Sequence, residues 1–557
     1  MKRPYIMFLI KTCCCLALVS IIGCSSQPSG KKSAAGNVSA QKIMNASTPV
    51  NGGRIIEPML GEPLNLVSAL SSDSGSHEIA SRIFVSPLKY DKDLNIVPYA
   101  AKNFEVLNGG KIIKFDMRKN IRWFDGKPLT AEDVEFTYKL MIDPKTPTAY
   151  SGDFLAVKKF TLTGKYSFEV EYDKPFARSL ITWCSDILPK HILEGVDLTK
   201  TDFGRHPVGA GPYKLKEWIP GRTVVLEAND DYFEGRPYID ELVFRIIPDS
   251  TTQFLELKSG NIDAMGLNAQ QYSFQTKGKK WDDNYNKFKY LAFGYTFLGY
   301  NMKRELFKDV RVRRAITYAI DKKEIVKGVL FGLGEPAIGP YKPGTWVYNK
   351  KLKPYGFNPE KAKELLAEAG WKEYDSNGIL VKNGKEFKFT ILTNQGNSQR
   401  IKSATIIQNR LKNIGIKVEI RTVEWASFVK EFLDKGNFDA IILGWNILQD
   451  PDIFSVWHSS NAVPGKLNLT CYKNSELDKL LEEGRQTFDQ QKRKKIYDQA
   501  QEILYNEQPY CFLFVPMSLP IYNKKIHGVE VAPAGVGYNY TKWWIPEEFQ
   551  KKKSIQQ

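Results

Sequence analysis

The chain has 557 residues, 42% hydrophobic and 12% aromatic, enough apolar mass for several packed cores at roughly 100–200 residues per domain. That composition excludes a mainly disordered chain, a collagen and a disulfide-stapled miniprotein. The formal charge is +17, but Lys and Arg are scattered and form no nucleic-acid footprint, and five histidines without an HExxH or short HxH pattern give no basis for a zinc hydrolase.

The chain opens with Lys2, Arg3 and Lys11 around a mostly apolar stretch over 6–22, the pattern of a secretory signal. That stretch is near the lower limit for a membrane span and contains a lysine, which argues against a spanning anchor. Ile21-Ile22-Gly23-Cys24 resembles a bacterial lipobox. The resemblance implies a signal peptide over 1–23, with diacylglyceryl transfer to the Cys24 sulfur and cleavage before it. Residues 24–50 then read as the lipidated cysteine and a flexible tether, rich in Ser, Gly, Ala and Asn and without an acid. Cys13, Cys14 and Cys15 leave with the signal. With Cys24 acylated, Cys184, Cys471 and Cys511 allow at most one disulfide, and spacing does not choose it.

The body reads as α/β. Thr130-Ala131-Glu132-Asp133 is a capping box before an apolar periodic run, and 159–173 alternates like a hairpin. Asp321 to Glu324 and Ser475 to Asp478 carry the same start signal. Asn358-Pro359 sets a cap and a proline at the first helical position, with Gly370 as the stop. Residues 386–443 are the most explicit. Alternation at Phe387, Phe389 and Ile391 is followed by helical spacing from Ile401 to Ile414, closed by Gly415. Alternation returns at Ile416, Val418 and Ile420, then a helical stretch over 425–434, then the apolar run Phe438 to Leu443. This predicts a βαβαβ unit with a parallel sheet. Residues 490–507 form a last amphipathic helix stopping before Pro509.

Several segments, in order over about 52–545, resemble family 5 of the bacterial extracellular solute-binding proteins, the peptide- and nickel-binding lipoproteins of ABC importers. They include Glu62-Pro63-Leu64-Asn65 with Ser72-Asp73-Ser74, Trp123-Phe124-Asp125-Gly126-Lys127-Pro128, Gly209-Ala210-Gly211-Pro212-Tyr213, Val310 to Ile316, and Gly444-Trp445 leading to Asp450-Pro451-Asp452. Most of these segments read physically as turns and caps, which identify a fold and not a ligand. The resemblance implies a two-lobed, type II periplasmic-binding-protein-like fold with a hinge. Lobe 1 would hold 51–294, with a subdomain near 86–207, and lobe 2 would hold 295–515. Residues 516–545 would return to lobe 1, leaving 546–557 as a tail.

It further implies capture of oligopeptides between the lobes and delivery to ABC permease subunits. The protein would be a monomer held to a membrane by its lipid, without cofactor, metal or catalysis; no GxSxG motif is present. Its location would be extracytoplasmic: the periplasmic space in a Gram-negative cell, or the outer face of the membrane in a Gram-positive one. A metal chelate, haem or sugar on the same fold, or a sensor or chaperone role, are the alternatives. Peptide backbone groups would pair with Gly444, Trp445 and Asn446 at a strand end and with an edge near Ser72, Asp73 and Ser74. Glu424, Trp425, Asp450 and His458 are further contact candidates. In peptide-binding relatives an Asp often follows the cleft Trp by three residues; here that position is Leu448, so a peptide's ammonium is expected to stay hydrated or to project from the cleft.

Overall fold

The computed structural model describes residues 48–446 and 450–550. The signal segment, Cys24, most of the tether, and Ile447, Leu448 and Gln449 lie outside the described residues. Apolar burial organises the rest into three clusters around two groups of sheets.

The first cluster, around Ile79, Phe115, Trp183 and Leu226, is the core of lobe 1. Its main sheet has four strands in the order Arg54–Met59, Glu241–Ile246, Thr223–Ala228, Tyr213–Ile219, with only the first pair parallel. A second, antiparallel sheet runs Ala101–Leu107, Ile112–Met117, Ser167–Tyr172, Val157–Gly164, and stacked Phe115 and Phe168 rings 4.6 Å apart fill its inner face. The expected hairpin over 159–173 is its outer pair, and the capping box of Thr130 and Asp133 starts the adjoining helix Ala131–Ile142. Gly209 and Gly211 are required by close approach: a Cβ on either would lie 2.0 or 2.6 Å from the carbonyl oxygens of Ile83 and Arg82.

Lobe 2 is built on a seven-stranded sheet ordered Tyr290–Leu291, Tyr510–Ser518, Gly294–Tyr300, Ala440–Asn446, Lys388–Asn394, Lys417–Val423, with Gly334–Pro336 beside Tyr510–Ser518. The βαβαβ pattern forms as expected. Lys388–Asn394 pairs parallel with Lys417–Val423 and with Ala440–Asn446, and helix Ser398–Lys412 crosses between the first two. Gly415, at φ +82, supplies the left-handed turn after that helix. The run from Ala440 to Leu443 is buried on both faces, as its unbroken apolarity requires. Ala440 and Ile442 join one cluster, Ile441 and Leu443 the other. The cap of helix Ser475–Gln486 is Asn474, one residue earlier than expected, because its side chain accepts from Glu476 and Leu477 N–H groups.

Gly294–Tyr300 and Tyr510–Ser518 lie side by side, and the second continues into Pro520–Asn523, which pairs with Ala264–Gly266 and Tyr285–Lys287. The segment from Ile247 to Trp281 packs into the same cluster as Leu298, Phe389 and Ile407. Cys184, Cys471 and Cys511 are all free thiols.

Candidate ligand-binding site

A cavity of about 1000 Å3 lies between the two lobes, at the upper end of the roughly 300–1,000 Å3 typical of small-molecule sites. On the lobe 2 side its wall is the end of strand Ala440–Asn446. One edge of this strand is paired with Gly294–Tyr300 through to Asn446, but on the other edge Lys388–Asn394 pairs only as far as Ile441. From Leu443 to Asn446, the alternate N–H and C=O groups turned away from Gly294–Tyr300 have no strand partner among the described residues. An extended chain laid there would complete the ladder. Trp445 beside this edge is half-buried, its ring parallel to Phe297 at 6.4 Å and its Nε1–H donating to Tyr510 Oη at 3.2 Å. One face of the indole is therefore fixed by core packing while the residue lines the cavity.

Arg400 also lines this end, close enough to the strand that a Cβ on Gly444 would lie 3.4 Å from its Nη2. Its Nη1–H donates to Asn394 Oδ1 at 2.8 Å, and among the described residues no carboxylate pairs with it. No Asp or Glu occurs outside the described residues. Burial without a counter-charge lowers its pKa from 12.5 to about 10.

On the lobe 1 side, Ser72, Asp73 and Ser74 line the cavity as the start of helix Ser74–Ile83, not as a strand edge. Asp73 is the cap. It accepts from Ser76 N–H at 2.8 Å and from the Ser76 and Ser71 hydroxyls at 2.6 and 2.5 Å, so its carboxylate is taken up within its own turn. The neighbouring His77 donates from Nε2 to the Ser71 carbonyl at 2.8 Å, with Tyr150 Oη 3.1 Å from the same nitrogen.

At one flank the lobes meet through a network of three aspartates and three arginines. Within lobe 1, Arg178 pairs with Asp153 at 2.7 Å. Within lobe 2, Asp452 pairs with Arg485 at 2.8 Å and Asp450 with Arg493 at 2.6 Å. Across the interface Arg178 reaches Asp452 at 3.0 Å and Asp450 at 3.6 Å, and Arg485 reaches Asp153 at 2.5 Å. Each half is self-neutral when the halves are apart, and the cross pairs form only when they meet. Ala177 N–H donates to the Arg485 carbonyl at 2.6 Å and Lys466 Nζ to the Thr148 carbonyl across the same seam. Burial alone would raise the pKa of Asp452, but Arg485 and Arg178 outweigh it and hold the group below its ordinary range.

Of the sequence candidates, Ser72, Asp73, Ser74, Trp425, Gly444, Trp445, Asn446 and Asp450 line the cavity; Glu424 and His458 do not. Trp425 sits against Gly61 of the other lobe, where a Cβ would lie 2.7 Å from its ring. Glu424 points away and caps its own short helix, accepting from Ala426 and Ser427 N–H groups. His458 stacks on Phe454 at 4.0 Å, with its ring nitrogens beside Ser460 and Glu482. Asp450 is committed to Arg493. Sequence reasoning missed Arg400, although a signal existed: a cation in the first turn of a helix opposes the macrodipole. Among the described residues no group of three His, Cys, Asp or Glu is placed to hold a metal ion.

Separate cores, two adjacent strands passing between them and a cavity walled by both lobes define a two-lobed α/β solute-binding protein of the periplasmic-binding type. The model for bacterial extracellular solute-binding proteins, family 5 Middle, matches residues 95–465, and the chain belongs to that family. It is 37% identical over 530 residues to the oligopeptide-binding protein AppA of Bacillus subtilis, covering 93% of this chain and 95% of that one. The structure of that AppA in complex with a nonapeptide matches with a TM-score of 0.85 at 36% identity, over 89% of this chain and all of the other. NikZ from Campylobacter jejuni in complex with Ni(L-His) matches with a TM-score of 0.80 at 28% identity, over 88% and 99% of the two chains. Heme-binding protein A of Haemophilus influenzae is 27% identical over 507 residues, 86% of this chain and 89% of the relative. The family places the protein outside the cytoplasm and among solute-binding components of transport. No helix among the described residues is long and apolar enough to cross a membrane.

Proposed function

We propose that this protein is a lipid-anchored receptor that captures oligopeptides in the inter-lobe cavity and hands them to the permease of an ABC importer. The observation that carries the reading is the unpaired strand edge from Leu443 to Asn446, opening into the cavity beside Arg400. Backbone pairing holds a peptide without reading its sequence, and the cavity volume leaves room for varied side chains. Trp445 presents an immobilised apolar face at low entropic cost. Arg400, desolvated and without a counter-charge, supplies a partner for a ligand carboxylate. The similarity to AppA, solved with a nonapeptide, supports the same reading.

The division of labour follows the expectation from sequence. The lobes, 51–294 with 516–545 and 295–515, move about the crossings near 293–297 and 513–517, and the ligand favours closure by touching both. Cys24 carries the lipid, the tether lets the body turn, the protein acts as a monomer, and it performs no chemistry on its cargo. The test is small-angle scattering and tryptophan emission with and without a pool of synthetic nonapeptides. Compaction together with a change in emission that is lost in Trp445→Phe is expected. Bound peptide with neither change would contradict a closing receptor.

A further inference from the structure

Charge compensation around the cavity is uneven. The carboxylates of Asp153, Asp450 and Asp452 are matched by Arg178, Arg485 and Arg493. Asp73 is satisfied by three donors of its own turn. Asp186 is different. It follows Trp183-Cys184-Ser185 in a segment whose neighbours Trp183, Ile187 and Leu188 are buried, and it lines the cavity from the lobe 1 side. Its Oδ2 accepts one hydrogen bond, from Ser68 Oγ at 2.6 Å. Among the described residues no cation lies within ion-pairing distance of it. The charged group that acts on it is His77, whose Nε2–H is directed to the Ser71 carbonyl. Burial raises the pKa of Asp186, and the Ser68 hydroxyl and His77 offset this only in part. The cavity thus holds a carboxylate on lobe 1 and a guanidinium on lobe 2, each desolvated by the protein and each lacking an opposite charge.

We propose that Asp186, held by Ser68, is the acceptor for an ammonium group of the bound peptide. The inference rests on the peptide reading above. It replaces the expectation, drawn from Leu448, that the ammonium stays hydrated or projects from the cleft: the counter-charge comes from the other lobe. An ammonium entering a closed cleft needs a carboxylate to offset lost hydration. At Asp186 the carboxylate is already desolvated and oriented before the ligand arrives, so pairing asks little further reorganisation of the protein. Because this carboxylate is on lobe 1 and the unpaired strand edge is on lobe 2, a peptide using both bridges the lobes, which is what ligand-driven closure requires. The shared chemistry is a primary ammonium, borne either by the peptide's amino terminus or by a lysine side chain.

The test is competition between three synthetic nonapeptide pools at equal concentration, with bound peptide read by native mass spectrometry. One pool is lysine-free with free amino termini, one is lysine-free and Nα-acetylated, and one is Nα-acetylated with a single lysine. A hydrogen-bonded charge predicts that the parent protein takes the first pool over the second by roughly tenfold or more. In Asp186→Asn this preference should fall to about twofold or less, with uptake of the acetylated lysine-free pool unchanged. That unchanged uptake shows that the variant is folded. Ser68→Ala keeps the carboxylate and should keep most of the preference. Uptake of the third pool at the level of the first shows that a lysine ammonium serves as well as the terminus, and at the level of the second that only the terminus does; either fits the inference if the preference depends on Asp186. A preference that is the same in the parent and in Asp186→Asn overturns it while leaving peptide capture intact. Failure of the parent to take up any pool overturns the peptide reading and this inference together.

Discussion

Replacing Arg178 by Met removes the residue through which lobe 1 touches both aspartates of the Asp450-Pro451-Asp452 turn. The network then holds three carboxylates and two guanidiniums instead of three of each. Its groups are well removed from water: side-chain exposure is 9% for Arg178 and 3% for Asp452. Breaking a buried pair and stranding one charge costs about 3–5 kcal/mol, and Arg485 still neighbours Asp153 and Asp452, so the lower end, about 3 kcal/mol, is expected. The double variant Asp153→Asn/Arg178→Met restores the balance and should recover at least about 1 kcal/mol of that loss. Urea unfolding of the single and double variants measures both quantities. Acid should expose the same pairing. Asp452 has a depressed pKa in the folded protein, so the stability it contributes is present above its unfolded pKa of about 3.9 and is lost as pH falls through the folded value. Arg178→Met should move that loss to higher pH. A single variant within about 0.5 kcal/mol of the parent, or a double variant equal to the sum of its singles, would refute the argument.

Three other outcomes follow from the same structure. Glu57 has its pKa raised from 4.5 to about 7, by burial first and by Glu78 second, so its stabilising protonated form is lost as pH rises from about 5 to 7; Glu57→Gln should flatten that part of the urea-stability profile, by up to about 3 kcal/mol. Arg400→Met should stabilise the unliganded protein by up to about 3 kcal/mol in urea while weakening calorimetric binding of free-carboxylate peptides roughly tenfold to a hundredfold and sparing peptide amides; a stability loss with equal effects on both ligands would contradict its role. Cys24→Ser should abolish metabolic labelling with palmitate and leave an uncleaved precursor, whereas normal processing to the same amino terminus would dispose of the lipid anchor.

What could be read from the residues divides along local and distant interactions. The βαβαβ unit was plain because the period-2 and period-3.6 patterns over 386–443 alternate cleanly and Gly415 marks the left-handed turn that ends the crossing helix. The family resemblance pointed to Gly444-Trp445-Asn446 as a pairing edge, and that end of Ala440–Asn446 does line the cavity with one side unpaired by Lys388–Asn394. Ser72-Asp73-Ser74 was read as a strand edge, but a short polar stretch carries no alternation, and Asp73 with Ser76 three residues on makes a helix cap instead. Glu424 took the same local course, its carboxylate bonding the two N–H groups nearest to it. Asp450 and Asp452 were read as turn and cap. Phe454 N–H does donate to Asp452 at 3.0 Å, but their arginine partners lie from 33 to more than 270 residues away, beyond any spacing rule. Arg400 and Asp186 stand out because no opposite charge pairs with either among the described residues, and that is a property of the assembled cavity, not of either residue's neighbours in the chain.

The most direct test of the central claim is native mass spectrometry of freshly purified, undenatured protein, with the released ligand sequenced. Peptide capture predicts a spread of bound masses that fragment as oligopeptides and are displaced by an added nonapeptide pool. A single non-peptide mass, such as a histidine-bound metal or a haem, that survives challenge with that pool would contradict it.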